Sequence, residues 1–368
     1  MDTKQMRTWA EIDLEALKHN YTALRELAEP GCKFLGVVKA DAYGHGALTV
    51  AQKLEEWGAD YLAVACLSEA VALREGGIRM PILVLGVTLP EYTEELLEYG
   101  ITQAVGDVEV ARQYAARAAA AGKTLKIHSK VDTGMSRLGL LWDRAAECAW
   151  EIAQLSGLET EGMFTHFAAA DGDEEFTMLQ FTRFLDVLRA AEEKGVKIAI
   201  RHCAASAAVV NYPCTHLDMI RPGIALYGHY PEKGMEDLCD LRPVMTLKTR
   251  VGAVRRVPAG STVSYSRTAK LEKDTTLAVL PVGYADGYSR LLSNQGSVMI
   301  GGQPCPVVGR MCMDLCMVCV DGLDVNAGDE AVLYGPEPVS VEHAADLVGT
   351  IHYELLTSVA PRVPRVYR

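Results

Sequence analysis

The residues best able to do chemistry in this chain sit at the ends of short apolar runs. Lys39 closes "FLGVVK" and is followed by "ADAYGHG", which sets Tyr43 and two glycines close behind it. A lysine at the end of a buried run is costly unless something there uses its amine. Lys130 belongs to a second such run, "LKIHSKV", while His166 ends "GMFTH", His202 lies in "IAIRHC" and Arg221 in "MIRP". Taken singly, a strand-end lysine snorkels to solvent, and a strand histidine is most simply a hydrogen-bonded core residue. Ionisable groups recurring at the same end of successive runs weaken that explanation. Ser206 in "CAASAA" offers a hydroxyl, and Gly223 in "RPGIALYG" lets backbone N–H groups approach an anion closely. An amine able to condense with a carbonyl, beside a cradle for an anion, is the chemistry this set suggests.

Bringing these groups together requires a scaffold that gathers strand ends. Through residue 222, β-rich runs alternate with Ala-, Leu- and Glu-rich stretches: "FLGVVK" (34–39), "YLAVA" (61–65), "ILVL" (82–85), "ITQAV" (101–105), "LKIHSKV" (125–131), "GMFTH" (162–166), "IAIRHC" (198–203) and "MIRP" (219–222). The alternation predicts an α/β fold with an N-terminal (β/α)8 TIM-like barrel over residues 1–240. In the first helical stretch Leu14, Leu17, Tyr21, Leu24 and Leu27 recur at i, i+3, i+4 spacing, with Asp13 placed to cap it. After about residue 240 the texture changes to short β runs broken by Gly, Pro and Asp, predicting a mainly-β domain over 241–368. Barrels carry chemistry at the C-terminal ends of their strands and often hold phosphate after the seventh and eighth, where Ser206 and Gly223 fall. A reactive lysine with a phosphate cradle fits pyridoxal 5'-phosphate (PLP). It fits a Schiff-base aldolase for a phosphorylated sugar as well.

Composition narrows the partners. Asp and Glu outnumber Lys and Arg by 48 to 36, for a formal net charge of −12, and no basic run tracks phosphates, so nucleic acid is not an expected partner. The start, "MDTKQMRTWAEIDLEALKHN", lacks the apolar core of an export signal. No stretch reaches the ~18 apolar residues of a membrane span. A cytoplasmic protein outside the membrane is expected. The 10 cysteines are scattered through apolar segments, as reduced thiols would be. Cys316 and Cys319 share a C-x-x-C spacing, but on a strand they face opposite sides, so no metal is expected.

The motifs resemble one family. "GVVKADAYGHG" resembles the PLP-lysine signature of alanine racemases, and "TWAEIDLEALKHNY", "KVDTGMSRLG", "FTHFA", "IRPGIALYG", "VSYSRT", "LPVGYADGY", "VGRMCMD" and "YELLTSVAPRVPR" follow in that family's order along the whole chain. The resemblance implies a PLP-dependent amino-acid racemase that interconverts L- and D-alanine, supplies D-alanine for peptidoglycan, and works as a homodimer with shared active sites. Lys39 then matches the lysine that binds PLP as a Schiff base and, once displaced by substrate, acts on the α-proton of the D-enantiomer. Tyr265 in "VSYSRT" matches the opposite base, supplied in the family by the partner subunit for the L-enantiomer. Racemisation needs a group on each face of a planar carbon, so a lysine and a tyrosine from different domains make chemical sense. A phenol needs a nearby cation to serve as a base near neutrality, and His166 and Arg221 match the family network that supplies that field.

The same resemblance sets Arg221 against the pyridine nitrogen of PLP, where a guanidinium donates and cannot accept a proton as a carboxylate would. The ring nitrogen is then expected to stay unprotonated, a poorer electron sink that favours reprotonation over decarboxylation or transamination. Arg137 matches the residue holding the cofactor's phenolic oxygen and the substrate carboxylate. Lys130 matches a lysine often carried as a carbamate to orient that arginine. Tyr43, Ser206, Gly223, Ile224 and Tyr353 match the phosphate-binding set, and Met313 and Asp314 match positions lining the site from the partner subunit, Met313 against substrate.

The chain departs from the family pattern in places. Ala205 stands where asparagine is common before the serine, Ser266 replaces the usual glycine after Tyr265 and is followed by Arg267, and Cys319 stands where aspartate is common. None removes a proposed acid, base or cofactor anchor. They leave a serine or broad-specificity racemase as the alternative, with a non-catalytic PLP-binding protein as the reading from outside enzymology.

Overall fold

The structure, a computed structural model, describes residues 3–368 and divides into two compact units. One, the barrel unit, comprises Leu17–Ala42 and Gly46–Arg242; the other, the β unit, comprises the segment through Ala16, Tyr43–His45 and Pro243–Arg368.

In the barrel unit the strands Lys33–Val37, Tyr61–Val64, Ile82–Val84, Thr102–Val105, Leu125–Asp132, Leu158–Phe164 and Ile200–His202 pair in parallel in that order, and Met219–Ile220 pairs in parallel with the first. Between Ile200–His202 and Met219–Ile220 the circle is bridged by Ala205 and Arg221, which gives a nearly closed barrel of parallel strands. Tyr61–Val64 and Ile82–Val84 are buried at every position. A strand covered on both faces reads as a continuous apolar run instead of an alternating one. Helices such as Val108–Ala120 and Glu174–Glu193 cover the outside, capped by Asp107 and Asp173, whose carboxylates each accept a backbone N–H at 2.9 Å. Asp13 caps Leu14–Glu26 as the sequence predicts, accepting from Glu15 N and Ala16 N at 2.9 Å.

The β unit is built on a sheet ordered Gln303–Pro306, Ser297–Ile300, Glu330–Tyr334, Met245–Arg250, Thr8–Ile12, Arg365–Tyr367. A second sheet joins Ala253–Val257, Thr275–Leu280 and Cys316–Cys319. The sequence reading gave residues 1–240 to the barrel. In the structure Thr8–Ile12 pairs antiparallel with Met245–Arg250 and parallel with Arg365–Tyr367. A five-residue strand does not announce its sheet, because its partners lie hundreds of residues away. No helix among the described residues is long and apolar enough to cross a membrane.

Candidate active site

The first barrel strand ends at Val37, before Lys39, and the lysine opens a tight turn, Lys39–Tyr43. Ala40, Asp41, Ala42 and Tyr43 all have left-handed backbone, φ 52, 53, 54 and 53°. Each such L-residue costs roughly 1–2 kcal/mol, so the turn persists only because its surroundings over-determine it. Ala40 N donates to Glu69 Oε1 at 2.6 Å, Ala42 N to Val38 O at 2.9 Å, Gly46 N to Asp41 O at 2.9 Å and Ala47 N to Asp41 Oδ1 at 2.7 Å. Burial and the Arg137 guanidinium lower the Lys39 pKa, with Glu69 opposing them.

Lys130, Phe164 and His202 lie in one register row across three neighbouring strands. The Phe164 ring stacks on His202 with centroids 4.8 Å apart, and both Lys130 Nζ and Arg221 Cζ stand 5.5 Å from its centroid. Lys130 is buried, and burial together with Arg137 and Arg221 brings its ammonium down to about 8 against the pull of Asp132. Arg221 is buried too. Its Nη1 donates to His202 Nδ1 at 3.0 Å; its Nη2 reaches Thr165 O at 3.0 Å, Cys203 O at 3.1 Å and His166 Nδ1 at 3.3 Å. Burial, then the charges of Arg221, Arg137, Lys130 and Lys39, hold His166 well below the usual histidine range, so it is neutral. Of that pair, the positive charge rests on Arg221.

Ser206 begins the helix Ser206–Asn211, and its Oγ accepts from Gly223 N at 2.9 Å and Ala225 N at 3.3 Å. Ile224, fully buried, opens the next turn. Ala205 serves through its backbone as the bridge to Arg221. Sequence reasoning missed two positioning carboxylates here. Glu69 pins the Lys39 turn and also accepts from Ala65 N at 2.7 Å. Asp132 Oδ1 accepts from Gly134 N at 2.9 Å and Ser136 N at 3.0 Å, shaping the loop that carries Arg137. The Asp-x-Gly spacing of "DTG" was the signal available for the second.

Lys39, Lys130, Arg137 and Arg221 therefore converge, each depressing a neighbour's pKa. Such a donor set asks for an anion with several acceptor oxygens, and the amine of Lys39 stands among them. These residues fit PLP.

In the β unit, Tyr43 and Tyr353 approach with ring centroids 6.2 Å apart, and burial pushes the Tyr43 phenol up. Gly44, at φ 83°, lets the chain pass against Leu356 O, which a Cβ would strike. Tyr265 and Met313 are 70% and 53% exposed, and both line a groove of about 580 Å³ with Cys312, Asp314 and Leu315. Ser264 Oγ donates to Arg310 O at 2.6 Å, and Arg362 Nη2 to Asp314 Oδ1 at 2.7 Å, tying this groove together. Ser266 has φ 57°. A glycine would take that conformation without steric cost.

Comparison with known proteins agrees with this geometry. The family model "Alanine racemase, N-terminal domain" matches residues 12–231 and "Alanine racemase, C-terminal domain" matches 244–367. The alanine racemase of Carboxydothermus hydrogenoformans is 47% identical over 365 residues, covering 98% of this chain and 99% of that protein. That of Desulfovibrio desulfuricans is 46% identical over 361 residues, covering 98% and 97%. The structure of the Clostridium difficile 630 alanine racemase superposes with a TM-score of 0.96 at 40% identity, covering 99% of this chain and 96% of the other. With matches of this extent over both units, the chain belongs to the alanine racemase family of PLP-dependent isomerases.

Proposed function

We propose that this chain racemises alanine with PLP by a two-base mechanism, as a homodimer in which the partner subunit supplies Tyr265, and that it provides cytoplasmic D-alanine for peptidoglycan. The observation that carries the reading is the half-buried Lys39, its pKa lowered, among Arg137, Lys130 and Arg221. When bound, PLP withdraws electrons from the substrate's α-carbon and so acidifies its C–H bond. The chain's own residues do the rest. A depressed lysine pKa keeps more of the amine neutral near physiological pH, which is what a carbonyl-condensing and proton-transferring group needs. Arg137 is assigned to the substrate carboxylate and the cofactor's phenolic oxygen, with Lys130, as a carbamate, orienting it. Arg221 donates toward the cofactor's ring nitrogen and stays charged, because its partners are imidazoles and carbonyls. Tyr43, Ser206, Gly223, Ile224 and Tyr353 are assigned to the phosphate. Met313 is assigned to substrate from the partner. A Tyr265 left exposed on its own unit suits a residue that completes a neighbour's site.

The test incubates protein with L-alanine, D-alanine and L-serine in D2O and follows α-deuteration and product chirality. Alanine should exchange and invert faster than serine, and Lys39→Ala should abolish both. Tyr265→Ala should keep the cofactor yet lose exchange from L-alanine selectively. Equal loss from both enantiomers would count against the two-base assignment; cofactor binding with no exchange from any substrate would leave a non-catalytic PLP protein.

A further inference from the structure

A polar line runs from Arg221 down the interior of the barrel to its opposite face. Arg221 Nη1 lies 3.0 Å from His202 Nδ1, His202 Nε2 lies 2.8 Å from His128 Nδ1, and His128 Nε2 lies 3.2 Å from Glu161 Oε2. Both histidines are fully buried. The proton positions follow from donor chemistry. A guanidinium only donates, so His202 must present a lone pair on Nδ1 and carry its proton on Nε2. His128 must then accept on Nδ1 and carry its proton on Nε2, which meets a carboxylate that only accepts. Every link donates toward Glu161, with both imidazoles neutral. Burial lowers both imidazole pKa values, reinforced by Arg221, while the carboxylate of Glu161, against the upward push of burial, is held at about 2 by hydrogen bonds from His128 and Lys126.

The strands are built around this line. Ile127 pairs with Thr160 but His128 pairs with Gly162, so Glu161 is an extra residue in its strand. A bulge of this kind re-aims a side chain, here toward His128. Gly162 completes the arrangement, since a Cβ there would lie 2.7 Å from both Nδ1 and Cε1 of His128. Beyond Glu161, Lys126 Nζ stands 2.8 Å from its carboxylate, at a cavity of about 370 Å³ that Arg74, Arg79 and Leu97 also line.

We propose that Glu161 is a positioning residue for Arg221, acting through His128 and His202 to fix both tautomers so that His202 always offers the guanidinium a lone pair. The proposal rests on the assignment of Arg221 to the cofactor's ring nitrogen. Without the carboxylate, His128 is free to carry its proton on Nδ1, where it would oppose the Nε2–H of His202. His202 would then turn its own proton toward Arg221, and a buried donor facing a donor is unfavourable.

The test reads the ¹⁵N shifts of labelled histidines in the protein without substrate or cofactor, assigned by single His→Gln variants. Wild-type His128 and His202 should both be Nε2–H tautomers. Glu161→Gln should preserve them, because its amide oxygen accepts; Lys126→Met should also preserve them; Glu161→Ala should shift at least one toward Nδ1–H. In the loaded enzyme Glu161→Ala should lower kcat by about tenfold or more, the usual scale for an outer partner that orients a site residue, with Glu161→Gln restoring most of it. An Nδ1–H His202 in the wild type, unchanged tautomers in Glu161→Ala, or a Glu161→Gln variant that behaves like Glu161→Ala would each overturn the proposal. The nitrogen shifts need no turnover, so they decide the role of Glu161 whichever way the racemisation assay falls.

Discussion

Replacing Ala40 by glycine should make the protein more stable and a poorer catalyst. Ala40 holds φ 52° and ψ 53°, and its methyl group is exposed, so truncation loses little packing. Relieving the left-handed conformation returns about 1–2 kcal/mol, and the extra freedom of glycine in the unfolded chain takes back about 0.5–1 kcal/mol. The expected net gain is about 0–1.5 kcal/mol. Ala40→Val should move stability the other way by at least a similar amount, since a β-branched residue is a clear outlier at positive φ. Urea unfolding of the cofactor-free protein reads both as shifts in midpoint at constant slope. The same glycine loosens the turn that begins at Lys39, so α-proton exchange should slow while stability rises, a trade expected where strain holds a functional group. A lower midpoint in Ala40→Gly, or an Ala40→Val variant as stable as the wild type, would refute the strain argument.

Two further changes probe the barrel. Lys130, with its pKa brought down to about 8, is the buried amine best placed to react with carbon dioxide, because only a neutral amine forms a carbamate. ¹³C-labelled bicarbonate near pH ~8 should therefore give a protein carbamate signal that Lys130→Met lacks, and a signal surviving that substitution would exclude this site. If the amine is instead left unmodified, the unfolded chain binds more protons than the folded one between about 8 and the ordinary lysine value of 10.5, so stability should rise with pH across that window and Lys130→Met should flatten the rise. Gly162→Ala should destabilise by about 1–3 kcal/mol through overpacking against the His128 ring and the Ile200 carbonyl, which a Cβ would meet at 2.7 and 2.8 Å. Combining it with His128→Ala should recover the part of that loss due to the ring, and strict additivity in the cycle would show that the ring contributes nothing to it.

The barrel was legible because each of its strands is a short apolar run separated from the next by a helical pattern, and the chemistry-bearing residues stand at the ends of those runs. What the sequence concealed lay in non-local pairing and backbone conformation. Thr8–Ile12 belongs to the β unit because its hydrogen-bond partners are Met245–Arg250 and Arg365–Tyr367. "VVKADAYGHG" reads as a strand running into a lysine, yet the strand stops at Val37 and the residues after Lys39 turn left-handed, although none of Ala40 to Tyr43 is a glycine. Glu161 and Gly162 were invisible for a third reason. A bulge is a mismatch of register between two strands, and neither strand reveals it alone.

The choice of acceptors around Arg221 has a physical logic of its own. A carboxylate in the place of His202 would bond the guanidinium more strongly, but it would also neutralise the charge that the roles proposed for Arg221, toward a ring nitrogen and a phenol, call for. A neutral imidazole holds the guanidinium in place without cancelling its field. Imidazole brings a different problem, because its two nitrogens exchange roles with the tautomer, and only one tautomer accepts from an arginine. The barrel answers by placing the carboxylate two residues further along the chain of hydrogen bonds, beyond His128. There its negative charge is paired with Lys126 at the opposite face, yet its demand for a proton donor still travels back to Arg221. Position is controlled from one end of the barrel while charge is kept at the other.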